Sequence, residues 1–327
     1  MAKIKYGQIG VGHPHANKLH VYRESNDYEV VGIVEGDERL RAQAQASAVY
    51  RDVPWMSLEQ LLNVPDLKVV GIESGIKQLL DYAESCIAAG KHIHLDKPAG
   101  ESLTQFRRVL DEAARRHAIV QMGYMYRYNP AIVMLRDWLR RGWLGEPFEV
   151  HAVMSKRLDR QSRRELTVFR GGAMFELGCH LIDLVVGLVG VPEAVHAFPR
   201  HSSQTEDDQY LDNMLAVFEY PRATATVRSS MIEVDGFARR HFVLCGSEGT
   251  FHIQPLDSPT ATIALRVERP GHAAQTHVHS LPEFTRYVAD AADLARLVRH
   301  EKEADFTYEH DFQVQRAVFL ASGMSES

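Results

Sequence analysis

The sequence has little cysteine and no long apolar run. Its three cysteines, Cys86, Cys179 and Cys245, are too few and too widely spaced for a disulfide framework or a zinc knuckle. No segment approaches the roughly 18 uncharged apolar residues of a membrane span, and the opening MAKIKYGQIG enters a strand pattern with no apolar signal core. We therefore expect a cytoplasmic protein in a reducing compartment.

Charge of one sign is also scarce. The 327 residues carry a formal net charge of −6 and contain no run of Lys or Arg, which argues against nucleic acid or an anionic membrane as a partner. With 45% hydrophobic and 24% charged residues, the composition is that of a globular protein, and the length predicts two domains. Histidine alone is abundant: the 17 histidines indicate either a metal protein or a set of mostly ordinary polar residues.

The chain divides into two patterns near residue 122. Residues 1–122 alternate short apolar runs with helical segments, and connections this short predict a doubly wound α/β domain with a parallel sheet between helices. Residues 123–327 begin with helices, continue from 194 to 267 as strand after strand, and end in two helices. We therefore expect a second, α+β domain with a large, open and mostly antiparallel sheet.

Local signals mark several helix ends. Ser57 followed by Gln60, and Ser102 followed by Gln105, have the spacing of a capping box, in which each residue satisfies a backbone N–H of the other. Gly90 stands where a C-terminal helix cap belongs. These signals predict helices that begin after residues 57 and 102 and one that ends just before residue 90.

The first predicted strand runs into a glycine-rich turn. A Gly-x-Gly turn that opens a helix lets the backbone approach a pyrophosphate, whose charge then lies on the helix N-terminal amides. Pro14 suits the first helical turn, and His15 stands where the dinucleotide fingerprint has its third glycine. A plain strand–helix turn is the alternative. We interpret the turn as a cofactor site and list its residues as Gly10, Gly12, His13, Pro14 and His15.

An acidic residue follows the second predicted strand. The dinucleotide fingerprint places such a residue about 20 positions after the glycines, where it accepts hydrogen bonds from the ribose hydroxyls. Glu35 lies there, and Asp37 follows it. Two carboxylates repel a 2′-phosphate, so we expect NAD rather than NADP, although Arg39 and Arg41 are placed where either side chain could turn toward a phosphate.

A lysine beside a proline ends the segment KHIHLDKP, residues 91–98. It lies at the sheet edge where open α/β folds bind ligands, and Pro98 fixes where Lys97 points. We expect Lys97 to contact a substrate hydroxyl near the nicotinamide. His92 and His94 alternate on the same strand like the HxH metal pair of amidohydrolases, which makes a metal-dependent hydrolase a rival interpretation. That rival leaves the Gly-x-Gly turn unexplained, and we predict no metal.

A second group of polar residues lies in the apolar segment 171–190. Glu176, His180 and Asp183 are spaced at i, i+4 and i+7, so on a helix they share one face. A histidine with a carboxylate one turn away is a general acid/base arrangement, in which the carboxylate orients the ring. The alternative is a satisfied core histidine. We favour catalysis by His180 with Glu176 as its partner, and we interpret Cys179 as structural.

Five segments in order resemble the Gfo/Idh/MocA oxidoreductases (glucose–fructose oxidoreductase, inositol dehydrogenase and rhizopine-catabolism proteins). GVGHPHA resembles the family's glycine-rich turn, and AAGKHIHLDKPAG its AGKHVxxEKP segment, with Asp96 in place of Glu. MGYMYRYNPA resembles the stretch that enters the second domain, and GGAMFELGCHLIDLVVGLVG the GGGxxxDxGxHxxD helix. GSEGTF and HDFQVQRAVFLASGM resemble the C-terminal sheet and last helix. The resemblance covers almost the whole chain and implies a Rossmann domain, then an open sheet that forms homodimers or homotetramers.

The resemblance also implies roles for individual residues. The family's lysine and histidine beside the nicotinamide and the reacting carbinol correspond to Lys97 and His180. The family aspartate four residues before that histidine is Glu176 here, one methylene longer. Further cofactor positions are Asp96 and the pair Ser74-Gly75, where the family has Thr-Pro. The substrate-binding positions are Tyr126, Arg127, Asn129, His180 and Asp183.

We therefore predict an NAD-dependent dehydrogenase acting on a carbinol of a sugar, cyclitol or sugar derivative. His180 takes the hydroxyl proton and Lys97 polarises the same oxygen, or the two exchange roles. A redox-neutral enzyme of the same fold that keeps NAD bound and cleaves a glycoside is one alternative, and a non-catalytic NAD-binding sensor is another. An acidic or phosphorylated sugar is expected if two arginines of the segment before the helix face the pocket. These arginines are Arg157, Arg160, Arg163, Arg164 and Arg170.

Overall fold

The computed structural model describes residues 2–204 and 208–326, and it describes Pro14 by its backbone alone. The chain forms two compact units. The first comprises Met1–Tyr124 and Thr285–Phe312, and the second comprises Met125–Phe284 and Gln313–Glu326. Within the described ranges, no helix has both the length and the apolar character that crossing a membrane requires.

The first unit is built on a parallel sheet. Its strands are β1 (Ile4–Ile9), β2 (Tyr28–Val34), β3 (Leu67–Ile72), β4 (His92–Leu95) and β5 (Val120–Met122). They lie in the order β2-β1-β3-β4-β5. On the outer side of β2, Trp55 forms a parallel bridge with Ile33, and the Ile33 N–H donates to the Pro54 carbonyl at 2.9 Å. If the Trp55 segment is counted as the third strand of the chain, β3, β4 and β5 become the fourth, fifth and sixth. The spatial order is then 3-2-1-4-5-6, which is the Rossmann order and confirms the predicted fold.

Helices alternate with these strands. They are α1 (Leu19–Glu24), α2 (Glu38–Gln45), α3 (Leu58–Leu62), α4 (Leu79–Ala88) and α5 (Leu103–Arg115). The capping box at Ser57 is confirmed, because Ser57 and Gln60 each bond the other's backbone N–H. At Ser102 half of the box forms: Ser102 accepts from the Gln105 N–H, whereas the Gln105 side chain donates to Asp81 at 2.8 Å. Gly90 has φ +71° after α4, as the C-terminal cap requires.

The second unit contains an eight-stranded sheet. Its helices are α6 (Pro130–Arg140), α7 (Arg160–Leu166) and α8 (Cys179–Val189). Its strands are β6 (Pro147–Val153), β7 (Ala194–Arg200), β8 (Asn213–Glu219), β9 (Thr224–Ser230), β10 (His241–Gly246), β11 (Gly249–Ile253), β12 (Thr260–Leu265) and β13 (Thr276–Ser280). The order is β13-β12-β11-β10-β6-β9-β8-β7. All described pairings are antiparallel except β6 with β9, so the predicted sheet is confirmed.

Alternation along the strands gives this sheet one buried face. In β8, Met214, Ala216 and Phe218 are buried, while Leu215 and Val217 between them are half-buried. Side chains of successive strand residues point to opposite faces, so the second face carries the half-buried set. The sheet therefore has a core side and a more accessible side.

The chain ends in α9 (Val288–Val298) and α10 (Tyr308–Ala321). The predicted division gave all of 123–327 to one domain, and here the structure differs, since Thr285–Phe312 belongs to the first unit. The physical reason is the apolar face of α9: Ala291 and Leu294 pack in the core that contains Tyr28 of β2. The Tyr28 hydroxyl also donates to the Ala291 carbonyl at 2.7 Å.

Candidate functional site

The carboxyl ends of the parallel strands gather most of the predicted cofactor residues. Open α/β sheets bind their ligands at this edge, because the loops that leave it can enclose a ligand. The structure brings the predicted residues of the first unit to this one edge. Gly10 follows β1, Glu35 follows β2, Ser74 and Gly75 follow β3, and Asp96 and Lys97 follow β4.

The glycine turn after β1 requires its glycines. Gly10 has φ +93°, and a Cβ there would lie 2.4 Å from the Glu73 carbonyl oxygen. A Cβ on Gly12 would lie 2.8 Å from a Leu40 methyl group. The buried Gln8 amide donates to the Gly10 carbonyl at 3.0 Å and to the Ala16 carbonyl at 3.1 Å, and so braces the turn from within. Only glycine fits the first position without strain.

The helix that the turn opens begins as a 3₁₀ helix over Pro14–Lys18 and not as a regular α-helix. Such turns are frequent where an α-helix begins, and here α1 follows at once. His13 is the N-cap residue, and its Nδ1 accepts from the His15 N–H at 3.4 Å. Pro14 occupies the first turn as predicted, and its side chain lies outside the described part of the chain.

The two carboxylates after β2 have partners that the sequence does not reveal. Glu35 accepts from the Val11 N–H at 3.0 Å through Oε2 and from the Asp37 N–H at 2.9 Å through Oε1. Asp37 accepts from the Arg39 and Leu40 N–H groups and caps α2. Glu35 therefore holds the glycine turn in place, and Asp37 has a structural role besides its charge.

Two imidazoles converge on one buried carboxylate. His15 Nδ1 lies 2.9 Å from Asp96 Oδ1, and His13 Nδ1 lies 3.1 Å from Asp96 Oδ2. Burial opposes ionisation of Asp96, but its imidazole neighbours outweigh it and hold the pKa of the carboxyl well below its usual range. Burial lowers the pKa of His15 to about 3, against the opposing effect of Asp96.

Beneath this edge lies a buried network that sequence reasoning missed. Lys18 Nζ lies 3.0 Å from Glu73 Oε1 and 3.0 Å from His94 Nε2, and His94 Nδ1 lies 2.9 Å from Gln121 Oε1. Burial opposes the charge of Lys18, but the carboxylates of Glu73 and Asp96 raise its pKa above the usual value. The ammonium therefore donates to His94 Nε2, so the ring proton is on Nδ1 and donates to Gln121.

This network argues against the rival metal interpretation of the HxH pair. His94 uses both ring nitrogens within the network, and burial lowers its pKa to about 3. His92 Nδ1 accepts from the Ile119 N–H at 3.0 Å. The two imidazoles thus serve separate hydrogen bonds, one in the interior and one at the start of β5.

Lys97 completes the edge directly after Asp96. It is buried, and the Lys97-Pro98 peptide bond is cis. Its charge contributes to the lowered pKa of His15, after burial and against the opposing effect of Asp96. Ser74 is half-buried and Gly75 is exposed. A lysine held next to an ionised carboxylate at this edge can donate hydrogen bonds to a bound oxygen.

The second unit holds the other predicted group. Residues Met174–Gly178 form a π-helical turn that runs into α8, so the segment is helical as predicted but not regular. A π turn spaces residues differently from an α turn and is frequent at functional sites. Glu176 Oε2 lies 3.6 Å from Lys156 Nζ, a cation that sequence reasoning did not pair with it. The i, i+4 spacing of Glu176 and His180 therefore runs across the junction between the π turn and α8.

Two of the predicted substrate residues pair with each other. Arg127 Nε lies 3.0 Å from Asp183 Oδ1 and Arg127 Nη2 lies 2.6 Å from the same oxygen, and both side chains are buried. Asn129 is the N-cap of α6, where Oδ1 accepts from the Ala131 N–H at 2.9 Å and Nδ2 donates to the Leu256 carbonyl at 3.0 Å. These partners give all three residues structural roles that were not predicted. The Asn129-Pro130 sequence is a helix-start signal that could have revealed one of them.

His180 lies against an aromatic ring. The Tyr126 ring meets it edge to face, with the centroids 5.6 Å apart and an interplanar angle of 86°. Both residues are buried. Among the arginines before the π turn, Arg163 is held by Asp208 at 2.6 Å and by Asp212 at 2.9 Å. That arginine is therefore structural and does not support an anionic substrate.

A Rossmann sheet with a braced Gly-x-Gly turn and a buried lysine at its carboxyl edge defines a dinucleotide-binding fold. Residues 4–124 match the family model described as "Oxidoreductase family, NAD-binding Rossmann fold". Residues 132–252 match the model of the GFO/IDH/MocA C-terminal domain. Both halves thus match one family, and the chain belongs to the GFO/IDH/MocA oxidoreductases.

Two relatives and one solved structure illustrate this similarity at low sequence identity. The chain is 26% identical over 200 residues to trans-1,2-dihydrobenzene-1,2-diol dehydrogenase of Bos taurus, covering 60% of this chain and 58% of the relative. It is 26% identical over 237 residues to D-glucoside 3-dehydrogenase of Escherichia coli, covering 70% of this chain and 65% of the relative. The chain thus matches less than two thirds of either relative. An NAD binding oxidoreductase from Klebsiella pneumoniae has the same fold, with a TM-score of 0.84, 18% identity, and coverage of 99% of this chain and 96% of that one.

Proposed function

We propose that this protein is an NAD-dependent dehydrogenase that oxidises a ring hydroxyl of a sugar, a cyclitol or a related polyol, or reduces the corresponding ketone. The observation that carries the proposal is the carboxyl edge of the parallel sheet. There the Gly10 turn with its positive φ, the Glu35 carboxylate and the buried Lys97 occupy the ends of three strands. Family membership supports the same reading.

Cofactor choice follows from charge at the end of β2. Glu35 and Asp37 place two carboxylates beside the glycine turn, one of them bonded to the Val11 N–H within it. A ribose hydroxyl can donate to such a carboxylate, whereas a 2′-phosphate is repelled by it. We propose NAD as the preferred cofactor, bound with its pyrophosphate at the turn and at the start of the 3₁₀ helix.

The bound nicotinamide would supply the hydride acceptor, and the protein's own residues would handle the proton. We assign Lys97 to hydrogen bonding of the reacting oxygen and His180 to accepting its proton, with Tyr126 packing against the His180 ring. Glu176, next to Lys156, is a positioning residue in this assignment. The names of the relatives, a dihydrodiol dehydrogenase and a glucoside 3-dehydrogenase, support a cyclic polyol as substrate.

Two measurements test the proposal in order. Thermal shift with NAD, NADH, NADP and NADPH should show the largest stabilisation with an NAD form, because a ligand that binds the native state alone raises its melting temperature. An absorbance screen for reduced nicotinamide across sugars, cyclitols and sugar acids then identifies the substrate. Lys97→Ala and His180→Ala should each lower kcat/KM by about 10²–10⁴-fold while cofactor binding persists.

Matched controls keep the result interpretable. Lys68→Ala and His20→Ala remove an exposed lysine and an exposed histidine of the first unit, and both variants should retain wild-type turnover. Near wild-type turnover in either Lys97→Ala or His180→Ala would sink the residue assignment. Larger stabilisation by NADPH than by NADH would sink the cofactor assignment.

Assembly and compartment are part of the same proposal. The accessible face and edges of the second unit's sheet carry exposed apolar side chains, among them Phe148, Phe198 and Val278. We propose that this surface pairs two copies of the chain, which light scattering after gel filtration tests, with a monomer as the contrary result. The three free cysteines support a cytoplasmic location.

A further inference from the structure

Two departures from the family pattern meet at one point of the first unit. His15 replaces the third glycine of the fingerprint, and Asp96 replaces the glutamate of the EKP segment. Their side chains lie 2.9 Å apart, although 81 positions separate them in sequence. His13 joins them, and one ligand atom from each of the three residues lies within 4.8 Å of the other two. The three atoms are close enough together to hold one metal ion.

Each oxygen of Asp96 faces one imidazole nitrogen. His13 Nδ1 lies 3.1 Å from Oδ2, and His15 Nδ1 lies 2.9 Å from Oδ1. With a proton on each Nδ1, these contacts are hydrogen bonds; a metal ion that binds the same atoms displaces those protons. The same three side chains therefore offer two nitrogen ligands and a carboxylate to one cation.

The types of donor atom are those that a transition metal takes. Asp96 is buried, and His13 and His15 are partly accessible, so a carboxylate and two imidazoles meet at the sheet edge. Lys18 also approaches the Asp96 carboxylate, with its ammonium 4.0 Å from Oδ1. That ammonium is closer to Glu73, at 3.0 Å, so the Asp96 carboxylate keeps its charge available.

We propose that His13, His15 and Asp96 bind one divalent first-row transition metal ion, such as Zn²⁺ or Co²⁺, through the two Nδ1 atoms and the carboxylate. Two imidazoles and one carboxylate suit these ions, whereas Mg²⁺ and Ca²⁺ prefer oxygen ligands alone. Three protein ligands leave coordination positions for water or a phosphate oxygen. The site differs from the HxH pair, whose two rings serve other bonds. It needs no assumption about catalysis, because binding is measured without cofactor or substrate.

Cobalt titration tests the site directly. The full chain is treated with a chelator, freed of it by gel filtration and titrated with Co²⁺, with visible absorption and equilibrium dialysis as readouts. We expect one Co²⁺ per chain with ligand-field bands, and bleaching of these bands when Zn²⁺ displaces it. Asp96→Asn and His15→Ala should each lose this equivalent, whereas His20→Ala, which removes an exposed histidine nearby, should keep it.

Three results separate the proposal from its rivals. Loss of the equivalent in folded Asp96→Asn and His15→Ala supports it, with folding checked by circular dichroism. If either variant fails to fold, His13→Gln, which changes a partly accessible side chain, takes its place. Failure of the chelated wild type to bind Co²⁺ overturns the proposal. So does equal binding by wild type and variants, which would place the ion on other histidines. Cobalt binding is measured without NAD and the thermal shift with NAD is measured without metal, so failure of the metal site and failure of the proposed function are distinguishable.

Discussion

Removing Lys18 should destabilise the first unit more than any exposed lysine does. Its ammonium is buried, 3.0 Å from Glu73 Oε1, and it also donates to His94 Nε2. Burial raises the pKa of Glu73 to about 8 against the opposing effect of Lys18, so without Lys18 this carboxyl either stays charged and uncompensated or takes up a proton. Removing one partner of a buried ion pair costs about 3–5 kcal/mol. The unsatisfied His94 nitrogen adds roughly 1 kcal/mol. We expect Lys18→Met to lower the free energy of unfolding by about 4–6 kcal/mol.

The double variant distinguishes pairing from packing. In Lys18→Met with Glu73→Leu no buried charge is left without its partner, and the His94 nitrogen alone loses its donor. We expect a loss of about 1–2 kcal/mol, less than that of Lys18→Met alone. Lys68→Met, at an exposed position of β3, is the control and should change the free energy by no more than about 0.5 kcal/mol.

Tryptophan fluorescence can follow the first unit alone. The chain has three tryptophans, of which Trp55 lies in the first unit and Trp138 and Trp143 lie in the second. With Trp138 and Trp143 replaced by Phe, urea unfolding reported by Trp55 gives the free energy of each variant. The free energy of unfolding is also measured for Glu73→Leu alone. If the loss in the double variant equals the sum of the losses in Lys18→Met and Glu73→Leu within about 0.5 kcal/mol, the pairing argument is refuted.

Three further predictions follow from the same structure. Gly10→Ala should destabilise the first unit by about 1–3 kcal/mol because of its positive φ alone, and it should weaken NADH binding. Gly36→Ala, whose added Cβ meets no atom within 4 Å, is the control and should change neither property in the same urea and fluorescence assays. Burial raises the pKa of Asp290 from 3.8 to about 6, so between these pH values the folded state keeps a proton that the unfolded state has released. The free energy of unfolding therefore falls as pH rises from about 4 to about 6. Asp290→Asn should remove that slope from unfolding free energies measured across this range, and an unchanged slope would contradict it. Arg127→Met should cost the second unit about 3–5 kcal/mol by stranding Asp183, and a calorimetric transition at the wild-type temperature would disprove this.

Strands and helix ends were predictable where the signal is local. The apolar runs 4–9 and 67–72 match β1 and β3, because buried parallel strands read as continuous hydrophobic segments. The strand segment at Trp55 was not predicted, since one bridge leaves no periodic pattern. At Ser102 the capping box is half formed, because Gln105 finds Asp81 on a different helix. A local rule cannot anticipate a competitor that the fold brings close.

The candidate site divides in the same way. Sequence motifs placed Gly10, Glu35 and Lys97 just after predicted strands. Because parallel strands all end at the same edge of the sheet, the strand assignment also places these residues at that edge. The partners that hold the site were not predictable. Arg127 meets Asp183 across 56 positions of sequence, and the Lys18 pair with Glu73 forms only once the 3₁₀ helix packs against the end of β3. Burial decides these pairs, and burial is a property of the folded chain.

The return of Thr285–Phe312 to the first unit has a consequence for synthesis on the ribosome. Tyr28 emerges early, but its partner Ala291 and the α9 side chains that close the same core emerge more than 250 residues later. The first unit therefore cannot complete its core until the eight-stranded sheet has been synthesised, and part of its apolar surface stays exposed until then. Cofactor binding before the chain is released would begin from this incomplete core, and chaperones have their longest opportunity to act during that interval.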